Sequence, residues 1–569
     1  MAFLTLPKNV FTSTKSEHST EEFQENVEKS SSLEKETVGE QTIELDTGDR
    51  RIGLVTAAFL ITNRILGAGI FATPSTILLM SGSVGTALML WVLGMLIALS
   101  GLFVYAEFGS YPSRLLQRNG GEKNYLEYAY SRPKYLVTCM YALYILLTGG
   151  SAGICVVFGE YILRAAQVEP TEWAARGLGI ASVCFAFLVN TLNVKVGIFV
   201  LNVLGTFKIV IVLLIAVTGW VALGGGIKNE EFTPTHAFSN AFQGTSPTAY
   251  GVVISLYNVI WSFMGYSNVN YNLSEVKNPI KALKYSAPIA VVSLGIIYIL
   301  VNIAYFAVVP FDVMTNSGRI LAADFFRIAF GTRAERACSV FIALSALGNV
   351  IAATFSQGRI VQQFGREGIL PYSAFWASQK PFNSPFTGLL EHCIIIIITI
   401  VAPPAGDAYD FVLNLISYPM NIINFFVAGA LLWLRYEARK GRREWIPNIK
   451  TPVPVIVFFL LSSLYLIIAP YIPPAKGQSS VYNHMPYWIH CVAAWGIFAL
   501  GVLYWIIWGR VIPKVGKYRL ISRDVHDTDG YWRNKFFKIP YSYQQSDEEF
   551  IAQELQKQAD KETFSEKPI

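Results

Sequence analysis

The chain has 569 residues, of which 53% are hydrophobic, 14% aromatic and only 15% charged, and its mean hydropathy is +0.41. That balance excludes a soluble protein of this size and points to a polytopic membrane protein. The net charge of +6 does not indicate a nucleic-acid partner, because the basic residues sit in short loops between apolar runs, where they orient a membrane chain.

Residues 1–50 are rich in Ser, Thr, Glu and Lys and hold too little apolar surface to offset the entropy of ordering, so a disordered tail is expected there. With some fifty polar residues ahead of the first apolar run, no cleaved signal peptide is expected. Twelve runs long enough to cross about 30 Å of hydrocarbon follow near 54–80, 84–108, 135–163, 177–193, 196–223, 250–273, 285–309, 337–358, 386–402, 410–434, 452–470 and 486–509; they are numbered here as spans 1 to 12. Residues 51–510 form this spanning domain. Residues 511–569 form a second tail, whose aromatic part, Tyr531-Trp532-Arg533 and Phe536-Phe537, is expected to pack on the membrane domain. Lys and Arg are more than twice as frequent in the loops after even-numbered spans as in the others, which puts both termini in the cytoplasm. The densest cluster, Arg435, Arg439, Lys440, Arg442 and Arg443, reads as an orienting patch against anionic lipid. The six cysteines lie in or beside apolar runs without CxxC spacing and read as packing residues.

Span 1 carries Asn63-Arg64-Ile65-Leu66-Gly67-Ala68-Gly69-Ile70-Phe71, with Pro74 beyond. Two glycines and a proline are poor helix formers placed where a membrane helix should be continuous. A broken backbone at this depth is tolerated where it lines a cavity; close helix packing at glycine is the plainer alternative. An inverted-repeat transporter should break again five spans later. Span 6 has Gly265 at its centre, followed by Ser267, Asn268, Asn270 and Asn272 within an apolar frame. Two corresponding breaks favour a binding site near the membrane midplane over packing alone.

Three motifs carry a family resemblance: Gly67-Ala68-Gly69-Ile70-Phe71; Glu275-Val276-Lys277-Asn278-Pro279; and the span 8 run from Ala343 to Arg359, closing at Gly365-Arg366-Glu367-Gly368-Ile369-Leu370-Pro371. Over roughly 54–510 the chain resembles the L-type branch of the amino acid–polyamine–organocation transporters. Within that branch it is most similar to the fungal high-affinity methionine permeases. The resemblance implies an all-α integral membrane fold of twelve transmembrane helices, with a 5+5 inverted-repeat (LeuT-like) core whose helices 1 and 6 are broken. It also implies a plasma-membrane location and an amino acid as cargo.

A zwitterion needs a partner at each end in low dielectric. N–H groups freed at Gly67, Ala68, Gly69 and Ile70 suit the carboxylate, and carbonyls near Asn63 to Leu66 and Ile260 to Phe263 suit the ammonium. The resemblance places Trp261 as an aromatic gate over the substrate; a packing or lipid-facing tryptophan is the alternative. Phe263, Met264 and Asn349 are the further pocket candidates, and Gly265 is a hinge. Aromatic and thioether neighbours suit a methionine side chain, and leucine as well. Lys208, midway along span 5, is too deep to reach water. It matches a family lysine that stands near span 1, where it either exchanges a proton or tethers span 5 to span 1 carbonyls. Arg64 is expected to pair with Glu107 or Glu160, and Glu160, matching a span 3 glutamate of the branch, to be an ion-pair residue.

No GxxxxGK[ST] loop, no HExxH pair and no ligand-spaced histidines occur, so ATP-driven, metal-dependent and enzymatic chemistry lack their equipment and no cofactor is expected. Residues 164–176 hold no cysteine for a disulfide-linked heavy chain. The reading is therefore import of a neutral amino acid, methionine first, with a proton. Its rivals are an exchanger or facilitator of broader specificity, and a transporter-like nutrient receptor signalling through its tails. Lys8, Lys15, Lys29, Lys35, Lys557, Lys561 and Lys567 are the tail sites that the resemblance offers to ubiquitin ligases.

Overall fold

The computed structural model describes residues 52–565 except Ala68 and short loop stretches, of which 475–479 and 527–531 are the longest; inside helices and strands, the side chains of 194–207, 275, 524, 526, 532–534 and 558–565 also lie outside the description. The expected disordered tail and its lysines Lys8, Lys15, Lys29 and Lys35 fall outside these residues, as do Lys567 and the Lys561 side chain. Lys557 is exposed and bonds Glu554 at 3.0 Å. The chain divides into a large unit, 47–516 with 522–536, and a small one that takes in 517–521 and 537–569.

The large unit is helical. Among the described residues nine helices are long and apolar enough to cross a membrane, and three shorter apolar helices, Lys208–Leu223, Ala249–Ser262 and Phe386–Val401, fall on expected spans 5, 6 and 9. Span 9 is the informative case. Its run Cys393 to Ile398 is dominated by β-branched residues, which favour strands in water, yet it forms the helix Phe386–Val401. In hydrocarbon a segment must satisfy its own peptide groups, and an isolated strand cannot. Local signals set the helix starts: Ser83 Oγ accepts the Thr86 N–H at 3.3 Å to open span 2, and Thr248 does the same for Gly251 to open span 6.

Burial is inverted relative to a soluble bundle. Met89, Val92 and Leu96 of span 2, and Val210, Leu214 and Val217 of span 5, are exposed at helical spacing. The buried side includes Asn258, Asn270, Asn302, Asn414, Asn421 and Asn424. An apolar outer face around a polar-spotted interior is what a lipid solvent selects.

Several elements differ from expectation. Span 3 is interrupted between Leu136–Leu147 and Ala152–Ala165. Loops between spans contain helices, notably Glu122–Ala129 between spans 2 and 3 and Leu321–Phe330 between spans 7 and 8. The fold is not purely α: strands Tyr518–His526 and Trp532–Pro540 pair in the C-terminal tail. Phe536 of the second strand packs edge-on against Tyr135 and Trp508, as the aromatic tail led us to expect. The polar end forms the helix Asp547–Ser565. All six cysteines are free and five are buried.

Arg435 leaves the basic cluster altogether. Glu107 of span 2 is fully buried and accepts both Arg435 Nε, at 2.8 Å, and the other arm of that guanidinium, together with Trp445 Nε1 at 3.0 Å and the Thr451 N–H at 2.8 Å. This ties span 2 to the end of span 10 and to the segment that follows it. Removing the charge leaves a half-sequestered guanidinium without its counter-ion. Glu107→Gln is therefore expected to cost about 3 kcal/mol, read as a lower unfolding temperature of the purified protein; an unchanged temperature would show the pair to be dispensable.

Candidate functional site

Both expected breaks are present. In span 1 the first half runs Leu54–Ile65 and the second begins at Gly69, continuing through Ala72 and Pro74 to Ser81. The Thr73 N–H donates to Gly69 O at 2.9 Å, so the second half is helically linked across the proline. In span 6 the first half is Ala249–Ser262 and the second starts at Asn268, with Gly265 between them at φ 112°, a conformation that favours glycine.

The two breaks touch. A methyl group at Gly69 would lie 2.6 Å from Ser262 Oγ and 2.8 Å from Ser262 Cα. Gly69 is thus required by the contact between the halves, which is the packing alternative realised at this one position. Thr73 Oγ1 lies 3.1 Å from Ser262 Oγ and donates to Gly69 O at 3.0 Å, stitching the same contact. Above it stands Tyr298 of span 7, fully buried, whose hydroxyl is 2.7 Å from Ile65 O and 3.3 Å from Ser262 O. The phenol has one proton, so it donates to the nearer Ile65 O and stands beside Ser262 O, drawing the ends of both first halves to one group. Nothing in the apolar stretch around Tyr298 distinguishes it in the sequence; only the convergence of spans 1, 6 and 7 does.

Gly67 has more room. Its N–H donates to Ile65 O at 2.6 Å, and a methyl group there would lie 3.4 Å from Asn349 Nδ2 of span 8. The Asn349 amide is oriented by Lys208, which is 4% exposed and donates to Asn349 Oδ1. An ammonium only donates, so the carbonyl oxygen must face Lys208 and the NH2 must face Gly67. That NH2 is buried and takes no hydrogen-bond acceptor. Lys208 thus anchors span 5 to span 8 and reaches span 1 through Asn349, which modifies the expected direct tether to span 1 carbonyls. No carboxylate among the described residues pairs with Lys208.

The remaining candidates separate. Ile70 is fully buried and Ala68 lies outside the described residues. Trp261 is 8% exposed, which excludes the lipid-facing alternative, and its indole lies beside the Tyr409 hydroxyl of span 10. Met264 and Gly265 are half-buried at the break. Phe263 is 1% exposed and locked among Trp91 and Tyr298, with ring centroids 6.2 and 5.3 Å away, so it offers no pocket surface here.

The expected partners of Arg64 are taken. Glu107 holds Arg435, and Glu160 receives Arg319 in a two-pronged pair with Nε at 2.8 and 2.9 Å. The Arg319 guanidinium also lies 5.1 Å over the Tyr409 ring. Glu160 is thus the ion-pair residue expected, with a different partner. Arg64 is exposed and packs its stem against Gly265, where a methyl would meet its Cγ at 2.3 Å.

Comparison with known proteins agrees with this architecture. The amino acid permease family profile matches residues 52–495. The high-affinity methionine permease of Saccharomyces cerevisiae is 56% identical over 87% of this chain and 85% of its own length. The low-affinity methionine permease of the same yeast is 28% identical over 89% of this chain and 92% of its own. The b(0,+)-type amino acid transporter 1 of Mus musculus is 30% identical over 84% and 91%. With the profile covering most of the chain and both helix breaks in place, this protein belongs to the amino acid permease family.

Proposed function

We propose that the chain imports a neutral amino acid, L-methionine before others, together with a proton across the plasma membrane by alternating access. The observation that carries the reading is the meeting of the two broken helices beside an unpartnered Asn349 amide. The methionine preference rests on what the two yeast relatives are named for. The twelve spans of the sequence reading, as a 5+5 inverted repeat plus two with both termini cytoplasmic, fit this cycle.

A bound zwitterion would set its carboxylate against the first N–H groups of the second half of span 1, at Gly69 and Ile70, and against Asn349 Nδ2. Its ammonium would meet carbonyls at the ends of the first halves. Trp261 and Met264 border the space left for an apolar or thioether side chain. The Glu160–Arg319 pair over Tyr409 closes the outer side, while exposed Arg64 lies on the inner, open side. Gly265 supplies the hinge. Lys208 has no carboxylate partner among the described residues, and loss of its proton turns the charge-assisted bond to Asn349 into a weaker neutral one, which would link proton to substrate.

Uptake of labelled methionine into cells lacking their own carriers should be concentrative, faster at acidic outside pH and abolished by a proton uncoupler. Uptake that ignores the uncoupler would leave the exchanger or facilitator, and no uptake of any amino acid by surface-located protein would favour the receptor. Gly67→Ala should reach the surface, since its methyl group meets only ordinary contact, yet raise the apparent KM about tenfold by standing before Asn349; an unchanged KM would remove Gly67 from the site. Lys208→Ala should retain methionine exchange at equal pH while losing acceleration by a pH gradient; an intact gradient response would assign the lysine to structure alone.

A further inference from the structure

A second unusual group lies away from this site, in the helix Glu122–Ala129 between spans 2 and 3, on the side read above as cytoplasmic. Glu122 is 1% exposed. Among the described residues five other buried carboxyls have a cation on them, Arg435 on Glu107, Arg319 on Glu160, Arg164 on Asp324 and Glu335, and Lys123 on Glu367, while Asp407 takes the Asn483 and His484 N–H groups. Glu122 has none of these cations. The neighbouring Lys123 ammonium is turned to Glu367 at 2.6 Å.

Tyrosines surround the carboxyl instead: Tyr105 of span 2, Tyr141 of span 3 and Tyr271 of span 6 are hydrogen-bonded to it, and Tyr144, Tyr266 and Tyr125 lie near enough to feel its charge. Tyr271 donates to Glu122 Oε1 at 2.5 Å. The Tyr105 hydroxyl lies 2.8 Å from Asn424 Oδ1 and 3.1 Å from Glu122 Oε1. It has one proton for two acceptors. With that proton on the nearer Asn424, its lone pair faces Glu122, which is a seat for a carboxylic acid O–H rather than for a second carboxylate acceptor. Arg64, which is exposed, senses the charge of Tyr271. Tyr271 itself is half-buried and more accessible than Glu122, so in the proposed cycle it is the one of the two that meets the inner vestibule.

We propose that Glu122 is a proton-binding site that locks the second half of span 6 onto the loop helix. The inference rests on the alternating-access reading. The carboxylate takes a proton from hydronium in the vestibule by way of the Tyr271 hydroxyl, leaving water and a neutral acid that burial tolerates; when Tyr271 withdraws, the hydrated acid returns the proton to water. Burial pushes the Glu122 carboxyl up from its ordinary value, against the pull of Tyr271 and its own backbone N–H. The locked arrangement therefore binds more protons than the open one. It is favoured in acid and loses stability as pH rises from the ordinary carboxylate range to the raised one.

The test uses full-length protein in lipid. Infrared difference spectra between acid and alkaline buffer should contain a protonated-carboxyl band that is missing from Glu122→Gln; identical spectra would overturn the proposal. Methionine counterflow in proteoliposomes, with equal pH on both sides, should be about threefold or more slower at about pH 5 than at about pH 8. Glu122→Gln should hold the slow rate at every pH, and a wild-type profile in that variant would also overturn it. Tyr271→Phe removes a donor that favours the anion, so it should move the infrared and counterflow midpoints to higher pH; unchanged midpoints would overturn the lock even if Glu122→Gln did not fold. Absence of counterflow in folded wild type would count against the permease reading, while the infrared band would still decide the proton site.

Discussion

A helix interrupted inside hydrocarbon leaves peptide groups that no bulk water can reach, and each orphan costs several kcal/mol. The interior of this protein is arranged around two such interruptions. Tyr298 donates its one proton to the end of the first half of span 1 and lies beside the end of the first half of span 6, Thr73 and Ser262 join the halves, and Gly69 lets them approach to backbone contact. Because these contacts come from spans 1, 6 and 7, neither break is stable without the other. That mutual dependence makes the pair a unit that can move together, and leaves at Gly67 a small space that Asn349 faces.

Charges within the membrane domain follow two designs. Glu107 and Glu160 are held by arginines in two-pronged pairs with further hydrogen bonds, a geometry that fixes span 2 to the segment after span 10 and span 3 to the loop before span 8. Lys208 and Glu122 are buried without an opposite charge and lean on an amide and on phenols. The first design resists a change of protonation because losing one charge strands the other. The second strands nothing, and intramembrane or buried groups of that kind are where function is sought first. In the proposed cycle the two unpaired groups lie one on the substrate site and one at the inner lock.

Much of the architecture was legible because lipid makes composition decisive. The spans, including the β-branched span 9, and both interruptions were readable from apolar length and from Gly67, Gly69 and Gly265. The site was legible only in outline. Phe263 reads as a pocket residue from its place beside the break, but Trp91 and Tyr298, from spans 2 and 7, hold its ring in the core. Arg64 reads as a partner of Glu107, but that carboxylate is met by Arg435, 328 positions away in the chain. Tyr298, Ser262 and Glu122 carry no local signature, since a tyrosine or serine in an apolar run and a glutamate opening a short loop helix are ordinary by themselves.

The sequence by itself determined what solvent the chain lives in, where its helices run and where two of them must fail, because hydrophobic length and glycine are local properties that lipid acts on directly. The tertiary structure alone decided which polar group meets which. Hydrogen bonds and ion pairs are short-ranged, so their partners depend on how spans far apart in the chain come to lie side by side. That is why Asn349 faces Gly67, why Arg319 rather than Arg64 holds Glu160, and why Glu122 is left among tyrosines without a cation.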